Sequence, residues 1–251
     1  MRFPVHAITL DLDDTIWPIG PVIGRAETAL GEWLRANAPR TAARWPLAAM
    51  RALRDEVAAE HPQLAHDFTR QRMIALERML QAAGDDVGLA APAFDAFFAA
   101  RCNVQHYDDS LAALDRLAAR VPLAALSNGN ADLQRIGLMH VFRFQLGARE
   151  HGAAKPAASI FHAACRQLGC APAQVLHVGD DVEMDIVGAA RAGLRTCWIN
   201  RPANRPANQP DEVGAIRAWP RADVRPDLEF TTLTALADWL DAAQPSESAA
   251  A

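Results

Sequence analysis

Short, continuous apolar runs recur along the chain, and most of them end at Gly, Asn or Asp. They occupy residues 5–10, 121–126, 142–146, 175–178 and 196–199, and a last one is expected at 228–230. Such runs are typical of strands that are buried on both faces of a parallel sheet. Segments with helical periodicity lie between them, for example at 160–168 and at 186–192, where Gly193 is expected at the C′ position. The alternation predicts an α/β fold with a doubly wound, Rossmann-like parallel sheet.

Residues 18–106 follow a different pattern, because helical spacing replaces the strand-like runs. One apolar stripe with helical spacing is formed by Ala26, Ala29, Leu30, Trp33 and Leu34. Further helices are predicted at 47–60, 67–83 and 93–102, with Asp67 as a candidate N-cap. We therefore expect an inserted all-helical domain of four helices between the first and second strands.

The chain thus divides into an α/β core at residues 1–17 and 107–242 and a helical domain at 18–106. Residues 201–226 are rich in proline and lack periodicity, which predicts a surface loop. A final helix is expected at 233–242, followed by a disordered tail at 243–251.

Composition limits the classes of partner. Hydrophobic residues make up 51% of the chain, enough for a sizeable core. The net charge of −5 is spread over both signs without a basic block, so no nucleic-acid partner is expected. A leader peptide and a membrane-length apolar run are both lacking, so we expect a cytoplasmic protein without a membrane partner. The sequence leaves monomer and homodimer open. Buried thiols, rather than metal ligands or disulfides, are expected at Cys102, Cys165, Cys170 and Cys197.

Four groups of polar residues follow predicted strands in the sequence. They are Asp11-Leu12-Asp13-Asp14-Thr15, Ser127-Asn128-Gly129-Asn130, Lys155-Pro156, and Gly179-Asp180-Asp181 with Asp185. The carboxyl ends of parallel strands share one edge of a sheet, so these groups are expected to meet in one site. Asp11 and Asp13 are two residues apart, which allows their side chains to converge as the chain leaves the first strand.

Such a site would combine clustered carboxylates with one ammonium group and one hydroxyl. Clustered carboxylates repel each other, and magnesium is a natural counter-ion because it prefers oxygen ligands and bridges to phosphate. The Ser127 hydroxyl, the turn amides and the Lys155 ammonium suit phosphate oxygens. Each group alone is an ordinary turn sequence. Their combination in this order favours a phosphoryl-transfer site.

At these positions the chain resembles the haloacid dehalogenase-like hydrolase superfamily, and the resemblance covers nearly the whole chain. The helical insertion looks like that superfamily's C1-type cap. The resemblance implies a magnesium-dependent phosphatase in which Asp11 attacks phosphorus and forms an aspartyl-phosphate. Asp13 would protonate the leaving oxygen and later activate water.

The same resemblance implies the remaining roles. Magnesium would be held by Asp11, the main-chain carbonyl of Asp13 and Asp180, with Asp185 acting through water. Lys155 would steady both Asp11 and the phosphoryl group. Substrate and phosphate contacts would come from Thr15, Trp17, Arg70, Ser127 and Asn128.

Within the superfamily, the likeness is greatest to the YigB-type bacterial phosphatases, which are associated with flavin mononucleotide and with 5-amino-6-(5-phospho-D-ribitylamino)uracil. It is carried by residues 10–15, 66–70, 127–130, 176–181 and 196–199, with Arg72. A small phosphate ester of this kind is therefore the expected partner. Two alternatives stay open for each specificity residue: Trp17 stacks on a planar ring or packs beneath the helical domain, and Arg70 contacts substrate or is solvated. His177 is expected to be a hydrogen-bonded core residue.

Other activities compete with the phosphatase interpretation. A phosphatase for sugar phosphates or nucleotides, or a phosphotransferase, would use the same chemistry. A response-regulator-type signalling module also combines acids, a lysine and magnesium, but it lacks a base two residues after its nucleophile. A dehalogenase would use Asp11 to displace halide from carbon, and then Asp13, Asp180 and Asp185 would have no evident role.

Overall fold

The computed structural model describes residues 3–202 and 216–243, and within them six parallel strands form one sheet. The strands are β1 (Ala7–Leu10), β2 (Leu123–Ser127), β3 (Gln145–Gly147), β4 (Val175–Gly179), β5 (Arg195–Ile199) and β6 (Leu228–Phe230). Their order is β3-β2-β1-β4-β5-β6, and each neighbouring pair is parallel. The predicted α/β fold is confirmed. The order reverses between β1 and β4, where doubly wound sheets bind ligands.

Every residue of β1, β2 and β4 is buried, which explains the continuous apolar runs. The strands begin and end within three residues of the runs that predicted them. In register, Thr9 of β1 pairs with Ala124 of β2 and with His177 of β4. Two buried polar side chains therefore lie side by side on neighbouring strands.

Five α-helices and two 3-10 helices, Pro62–Leu64 and Val87–Leu89, lie in residues 19–104 of the described chain. The α-helices are α1 (Ile19–Asn37), α2 (Pro39–Arg44), α3 (Leu47–Glu60), α4 (Phe68–Ala83) and α5 (Ala90–Arg101). The four longer helices match the expected ones, and Asp67 caps α4 by accepting the backbone N–H of Arg70 at 2.8 Å. The expected number of four was too small by the six-residue α2, which buries only Thr41. A helix this short has no apolar period that the sequence could show.

The remaining described α-helices are α6 (Ser110–Ala118), α7 (Leu133–Ile136), α8 (Ala148–His151), α9 (Ala158–Leu168), α10 (Gly188–Arg191) and α11 (Leu233–Ala243). The helix expected at 186–192 is instead a π-helix, Val182–Val187, followed by α10. The Asp181 side chain caps it by accepting the N–H groups of Glu183 and Met184, both at 2.8 Å. Gly193 follows with φ +84°, as expected of a C′ residue.

The chain forms two compact units. The α/β unit comprises Met1–Pro18, Gln105–Gly129 and Gly137–Ala251, and the helical unit comprises Ile19–Val104 and Asn130–Ile136. The sequence placed residues 130–136 in the core, but they group with the helical unit. There the Asn130 amide donates to the Thr69 hydroxyl at 3.2 Å, and Arg135 lies 4.9 Å over the Phe98 ring. These contacts join residues far apart in sequence, so no local pattern indicates them.

Several expectations concern the ends and loops. Residues 203–215 of the expected proline-rich loop and 244–251 of the expected tail lie outside the described residues. The described stretch 216–226 has no helix or strand, and Ala243 still belongs to α11. Of the four cysteines, all of them free, three are buried as expected, but Cys170 is only half-buried. None of the helices in the described ranges has the length and apolarity that a membrane span requires.

Candidate active site

The loop after β1 is a tight, hydrogen-bonded turn. Asp11 extends the sheet by donating its N–H to Val178 O of β4 at 2.8 Å. The chain then reverses at Asp14, whose φ of +59° lies in the left-handed region that Asp tolerates better than most residues. The Asp14 N–H reaches Trp17 O at 2.7 Å and closes the turn. The loop therefore holds Asp11 and Asp13 at the carboxyl end of the sheet's central strand.

Trp17 packs inside the α/β unit. Its side chain is fully buried, and its indole N–H donates to Asp13 Oδ1 at 2.8 Å. The ring meets the His106 ring edge-on, with centroids 5.8 Å apart. The ring has no exposed face on which a substrate could stack. Of the two alternatives left open by the sequence, the structure therefore favours packing over stacking on a planar ring. Trp17 instead contributes to the site by holding the Asp13 carboxylate through this hydrogen bond.

Lys155 lies between two carboxylates. Its Nζ donates to Asp11 Oδ1 at 2.5 Å and to Asp185 Oδ1 at 2.7 Å, and all three residues are buried. Its backbone is held by Asn128, whose side chain accepts the Lys155 N–H at 2.8 Å and donates to Lys155 O at 3.0 Å. Asn128 was expected to contact phosphate, but its amide is occupied in placing Lys155.

A cluster of three carboxylates stands at this edge. Oxygen atoms of Asp11, Asp180 and Asp185 lie within 4.8 Å of one another. The π-helix brings Asp185 back to the end of β4, and there it accepts the N–H of Asp181, the residue that caps the π-helix, at 3.0 Å. Gly179 permits this approach, because a Cβ at that position would overlap the Asp185 side chain.

Burial and mutual repulsion change the acidity of these groups. Burial raises the pKa of Asp11 to about 8, against attraction from Lys155 and with repulsion from Asp185. Burial and the charges of Asp185 and Asp11 raise the pKa of Asp180 well above its ordinary value. Burial alone would lower the pKa of Lys155, but attraction to Asp11 and Asp185 holds it above its usual range. One ammonium therefore does not neutralise the three carboxylates.

This donor set fits a magnesium ion. Magnesium takes oxygen ligands, and the uncompensated carboxylate charge is what a divalent cation would balance. Asp11 and Asp180 offer carboxylate oxygens to such an ion, and of the three acids only Asp180 is half-buried. The Asp185 carboxylate already accepts hydrogen bonds on both of its oxygens.

The two candidate hydroxyl groups have different surroundings. Ser127 is the buried last residue of β2, and its Oγ accepts the N–H of Gly129 at 3.0 Å. The hydroxyl of Thr15 is buried without a hydrogen-bond partner among the described residues. The Thr15 carbonyl accepts a hydrogen bond from Arg201 Nε at 3.1 Å.

Two residues at this edge were not predicted as part of the site. The Arg217 guanidinium donates to Asp180 O at 3.0 Å and lies 4.0 Å from Asp180 Oδ2. The His177 ring bonds the Asp185 carboxylate at 3.1 Å. Arg217 stands in a segment without periodicity, so nothing local marks it. His177 did leave a signal, because it stands two residues before Gly179 and so faces the same side of β4.

Arg70 belongs to the helical unit. It lies in the first turn of α4, and its guanidinium pairs with Glu77 at 3.1 Å. The two side chains are 50% and 36% exposed, so the pair stands in solvent. Arg72 differs, because its guanidinium lies 3.7 Å over the Phe97 ring and burial lowers its pKa to about 10.

Comparisons with known proteins agree with this geometry. The model of a hydrolase family, described as haloacid dehalogenase-like hydrolase, matches residues 5–193. The chain is 31% identical over 236 residues to 5-amino-6-(5-phospho-D-ribitylamino)uracil phosphatase YigB of Escherichia coli, and the match covers 92% of this chain and 94% of that protein. It is 36% identical over 128 residues to the phosphoserine phosphatase of Thermus thermophilus, covering 49% of this chain and 51% of that protein.

One solved structure adds a second type of activity. The crystal structure of a 2-haloacid dehalogenase from Pseudomonas syringae pv. tomato DC3000 superposes with a TM-score of 0.84 and 33% identity. The match covers 96% of this chain and 100% of that one. The fold is thus shared by proteins named for two reactions, and the side chains of the site must distinguish between them.

Proposed function

The chain belongs to the haloacid dehalogenase-like hydrolase family, and we propose that it is a magnesium-dependent phosphatase that forms an aspartyl-phosphate on Asp11. The observation that carries the proposal is the buried arrangement of Lys155 between Asp11 and Asp185, with Asp180 beside them. Phosphatases among the relatives support the reaction class. A cytoplasmic location and the oligomeric state stay predictions.

Asp11 is the nucleophile in this proposal. One carboxylate oxygen is held by Lys155 at 2.5 Å, which leaves the other to attack phosphorus. A bond then forms between Asp11 and phosphorus while the ester P–O bond breaks. The Lys155 ammonium offsets charge on the incoming phosphoryl group, and the Ser127 end of β2 supplies a hydroxyl at the same edge of the sheet.

Asp13 is the acid and then the base. Its carboxyl gives a proton to the departing alcohol oxygen as the ester bond breaks. As a carboxylate it then takes a proton from water, and that water attacks the phosphorus of the aspartyl-phosphate and releases inorganic phosphate and free Asp11. The Trp17 indole N–H, 2.8 Å from Asp13 Oδ1, holds the carboxyl during both steps.

Magnesium bound at this edge would neutralise negative charge on the nucleophile and the phosphate, so that two anions can approach. Asp11, the main-chain carbonyl of Asp13 and Asp180 would hold it, and Asp185 would support it. These ligands follow from the carboxylate cluster and from the raised pKa of Asp11 and Asp180, which a cation would relieve.

For substrate we propose a small phosphorylated metabolite, with flavin mononucleotide and 5-amino-6-(5-phospho-D-ribitylamino)uracil as the first choices. The support is the relative named for the second compound, which matches nearly the whole chain. Arg70 is the proposed residue of the helical unit that influences the choice of substrate.

The test is phosphate release with and without magnesium from these two compounds, sugar phosphates, nucleotides and p-nitrophenyl phosphate. Asp11→Asn is the blank, and Asp86→Asn is the matched control because Asp86 is exposed and caps a turn by accepting Gly88 N–H, which Asn can also do. Magnesium-dependent release that Asp11→Asn abolishes and Asp86→Asn retains is expected. Full activity in Asp11→Asn would overturn the proposal.

A second candidate is hydrolysis of a carbon–halogen bond, which the superposition with the haloacid dehalogenase favours. Halide is a stable leaving group and needs no proton donor, so Asp13 and the Asp180 carboxylate would have no part in that reaction. Halide release from a 2-haloacid, measured on the same preparations, distinguishes the two. Chloride release without phosphate release would replace the first proposal by the second.

A further inference from the structure

A hydrogen-bonded pair of polar residues lies one layer beneath the carboxylates. Thr9 of β1 and His177 of β4 are register partners, and both side chains are fully buried. The Thr9 hydroxyl is 2.9 Å from His177 Nδ1, and His177 Nε2 is 3.1 Å from Asp185 Oδ1. Each stands two residues before a site residue, so the pair faces the same side of the sheet as Asp11 and Gly179.

The direction of these hydrogen bonds follows from their chemistry. Asp185 Oδ1 lies 2.7 Å from the Lys155 ammonium and Oδ2 accepts the Asp181 N–H at 3.0 Å, so Asp185 is a carboxylate that only accepts. Nε2 of His177 therefore carries a hydrogen. A neutral ring with hydrogen on Nε2 has an acceptor at Nδ1, which matches the Thr9 hydroxyl at 2.9 Å.

The Asp185 carboxylate is consequently fixed at both oxygens. Oδ1 accepts from Lys155 at 2.7 Å and from His177 at 3.1 Å, and Oδ2 accepts the Asp181 N–H at 3.0 Å. The Phe161 ring packs edge-on against the imidazole, with centroids 5.0 Å apart, and limits its rotation. The chain of contacts runs without interruption from Thr9 to Lys155.

From this geometry we infer that His177, oriented by Thr9, is a positioning residue that fixes the Asp185 carboxylate for Lys155 and for magnesium. The inference rests on the proposed function for the identity of the ion. His177 is fully buried, so its proposed effect runs through Asp185. Residues that orient a metal site through its ligands typically contribute about 10- to 100-fold to metal affinity.

The test is magnesium affinity by calorimetry on the full chain. His177→Leu removes the donor to Asp185, and at least about a tenfold weaker affinity is expected. In His177→Gln the side-chain amide can donate to Asp185 and accept from Thr9, so most of the affinity should return. Wild-type affinity in folded His177→Leu would overturn the inference, as would equal losses in the Leu and Gln variants.

The sheet offers a matched control. Thr196 of β5 is the register partner of His177 on its other side and is also buried, but its hydroxyl contacts Asp227 at 3.3 Å. Thr9→Val and Thr196→Val each remove one buried hydroxyl beside His177. Magnesium affinity should fall in Thr9→Val and stay at the wild-type value in Thr196→Val. An equal loss in both would show a general packing effect and contradict the inference. If His177→Leu does not fold, the comparison of Thr9→Val with Thr196→Val tests the inference.

Nitrogen-15 spectra of the histidine ring give an independent result. They should show His177 as the neutral form with hydrogen on Nε2, and hydrogen on Nδ1 alone would overturn the inference. Failure of the proposed function is a different result, since it would be seen in the wild-type protein as a lack of magnesium binding and phosphate release. The position of the hydrogen seen in the His177 ring spectra does not depend on magnesium binding or phosphate release.

Discussion

The two units of the chain place their charged residues differently. The α/β unit buries Asp11, Lys155 and Asp185 together at the end of its sheet. The helical unit packs an apolar core around residues such as Leu30, Leu76 and Phe97, and several of its ion pairs lie at the surface. Its buried Glu27 is an exception and is bound by Arg51.

The physical cost of the two arrangements differs. Taking an ion out of water costs several kcal/mol even after relaxation, and partners must offset that cost. An exposed ion pair costs little and contributes about 0–1 kcal/mol. The buried group of Asp11, Lys155 and Asp185 is therefore costly for stability, as expected of a group that serves chemistry. Substitutions in the two units should differ in kind as well as in size.

The largest effect is expected from Lys155→Met. It leaves Asp11 and Asp185 buried without a counter-ion, and breaking a buried pair in this way costs about 3–5 kcal/mol. The free energy of unfolding in urea should fall by that amount, and phosphate release should be lost. The double variant with Asp185→Asn should recover part of the stability, because one uncompensated charge is gone. Unchanged stability in Lys155→Met would contradict the comparison between the units.

Asp13→Asn should affect rate without a comparable effect on stability. The Asn carbonyl can still accept the Trp17 indole N–H, but the side chain can neither donate nor take a proton at working pH. A fall in kcat of about 10²- to 10⁴-fold is expected for an alkyl phosphate.

The leaving group gives the control for this prediction. p-Nitrophenolate leaves without protonation, so formation of the aspartyl-phosphate from p-nitrophenyl phosphate should be slowed less by Asp13→Asn. Single-turnover measurement separates this step from hydrolysis of the intermediate. Equal slowing of the first step for alkyl and aryl phosphates would remove Asp13 from the acid role.

Fold and site differ in how far the sequence could predict them. The strands could be found because burial on both faces leaves a continuous apolar run, as in β1 and β4. Asp11, Lys155 and Asp185 could be grouped because the ends of parallel strands share one edge. What sequence alone does not contain is which partner each side chain takes. Asn128 was expected on phosphate and instead binds the Lys155 backbone.

The other features that the sequence did not predict have the same cause. The π-helix around Asp185 is set by the Asp181 cap and by the close approach to Gly179, and neither appears in an apolar period. Tertiary contacts decide such positions, so a pattern within one element cannot indicate them.

The pH dependence of stability should be a smaller effect confined to the α/β unit. An acid whose pKa is raised in the folded protein stabilises it fully below the ordinary value, near 3.8, and this contribution is lost as pH rises to the folded value, about 8 for Asp11. Asp180 changes in the same direction. The low pKa of Asp185 acts below this window, and the raised pKa of Lys155 acts above it. Burial lowers the pKa of His177 and of His106, and this opposes the trend only below their ordinary value of 6.5.

The metal-free protein should therefore melt at a lower temperature at pH 8 than at pH 7, where both histidines are largely neutral in the folded and unfolded chain, and magnesium should raise the melting temperature more at pH 8. Asp11→Asn should flatten the dependence in the metal-free protein. Thermal melts in matched buffers, with chelator or with magnesium, measure both. An equal rise in melting temperature with magnesium at the two pH values would show that Asp11 does not contribute to metal binding.

The smallest effect on stability is expected from Arg70→Ala in the helical unit. The exposed pair with Glu77 contributes less than about 1 kcal/mol, and the backbone N–H that Asp67 caps is kept. If Arg70 reads the substrate, the variant should change the preference among phosphate esters more than the rate on p-nitrophenyl phosphate. Glu77→Ala breaks the same ion pair but keeps the arginine, so its preference should match the wild type. Equal preferences in all three proteins would leave the helical unit without a specificity role at this position, and the contrast between the units would then concern stability alone.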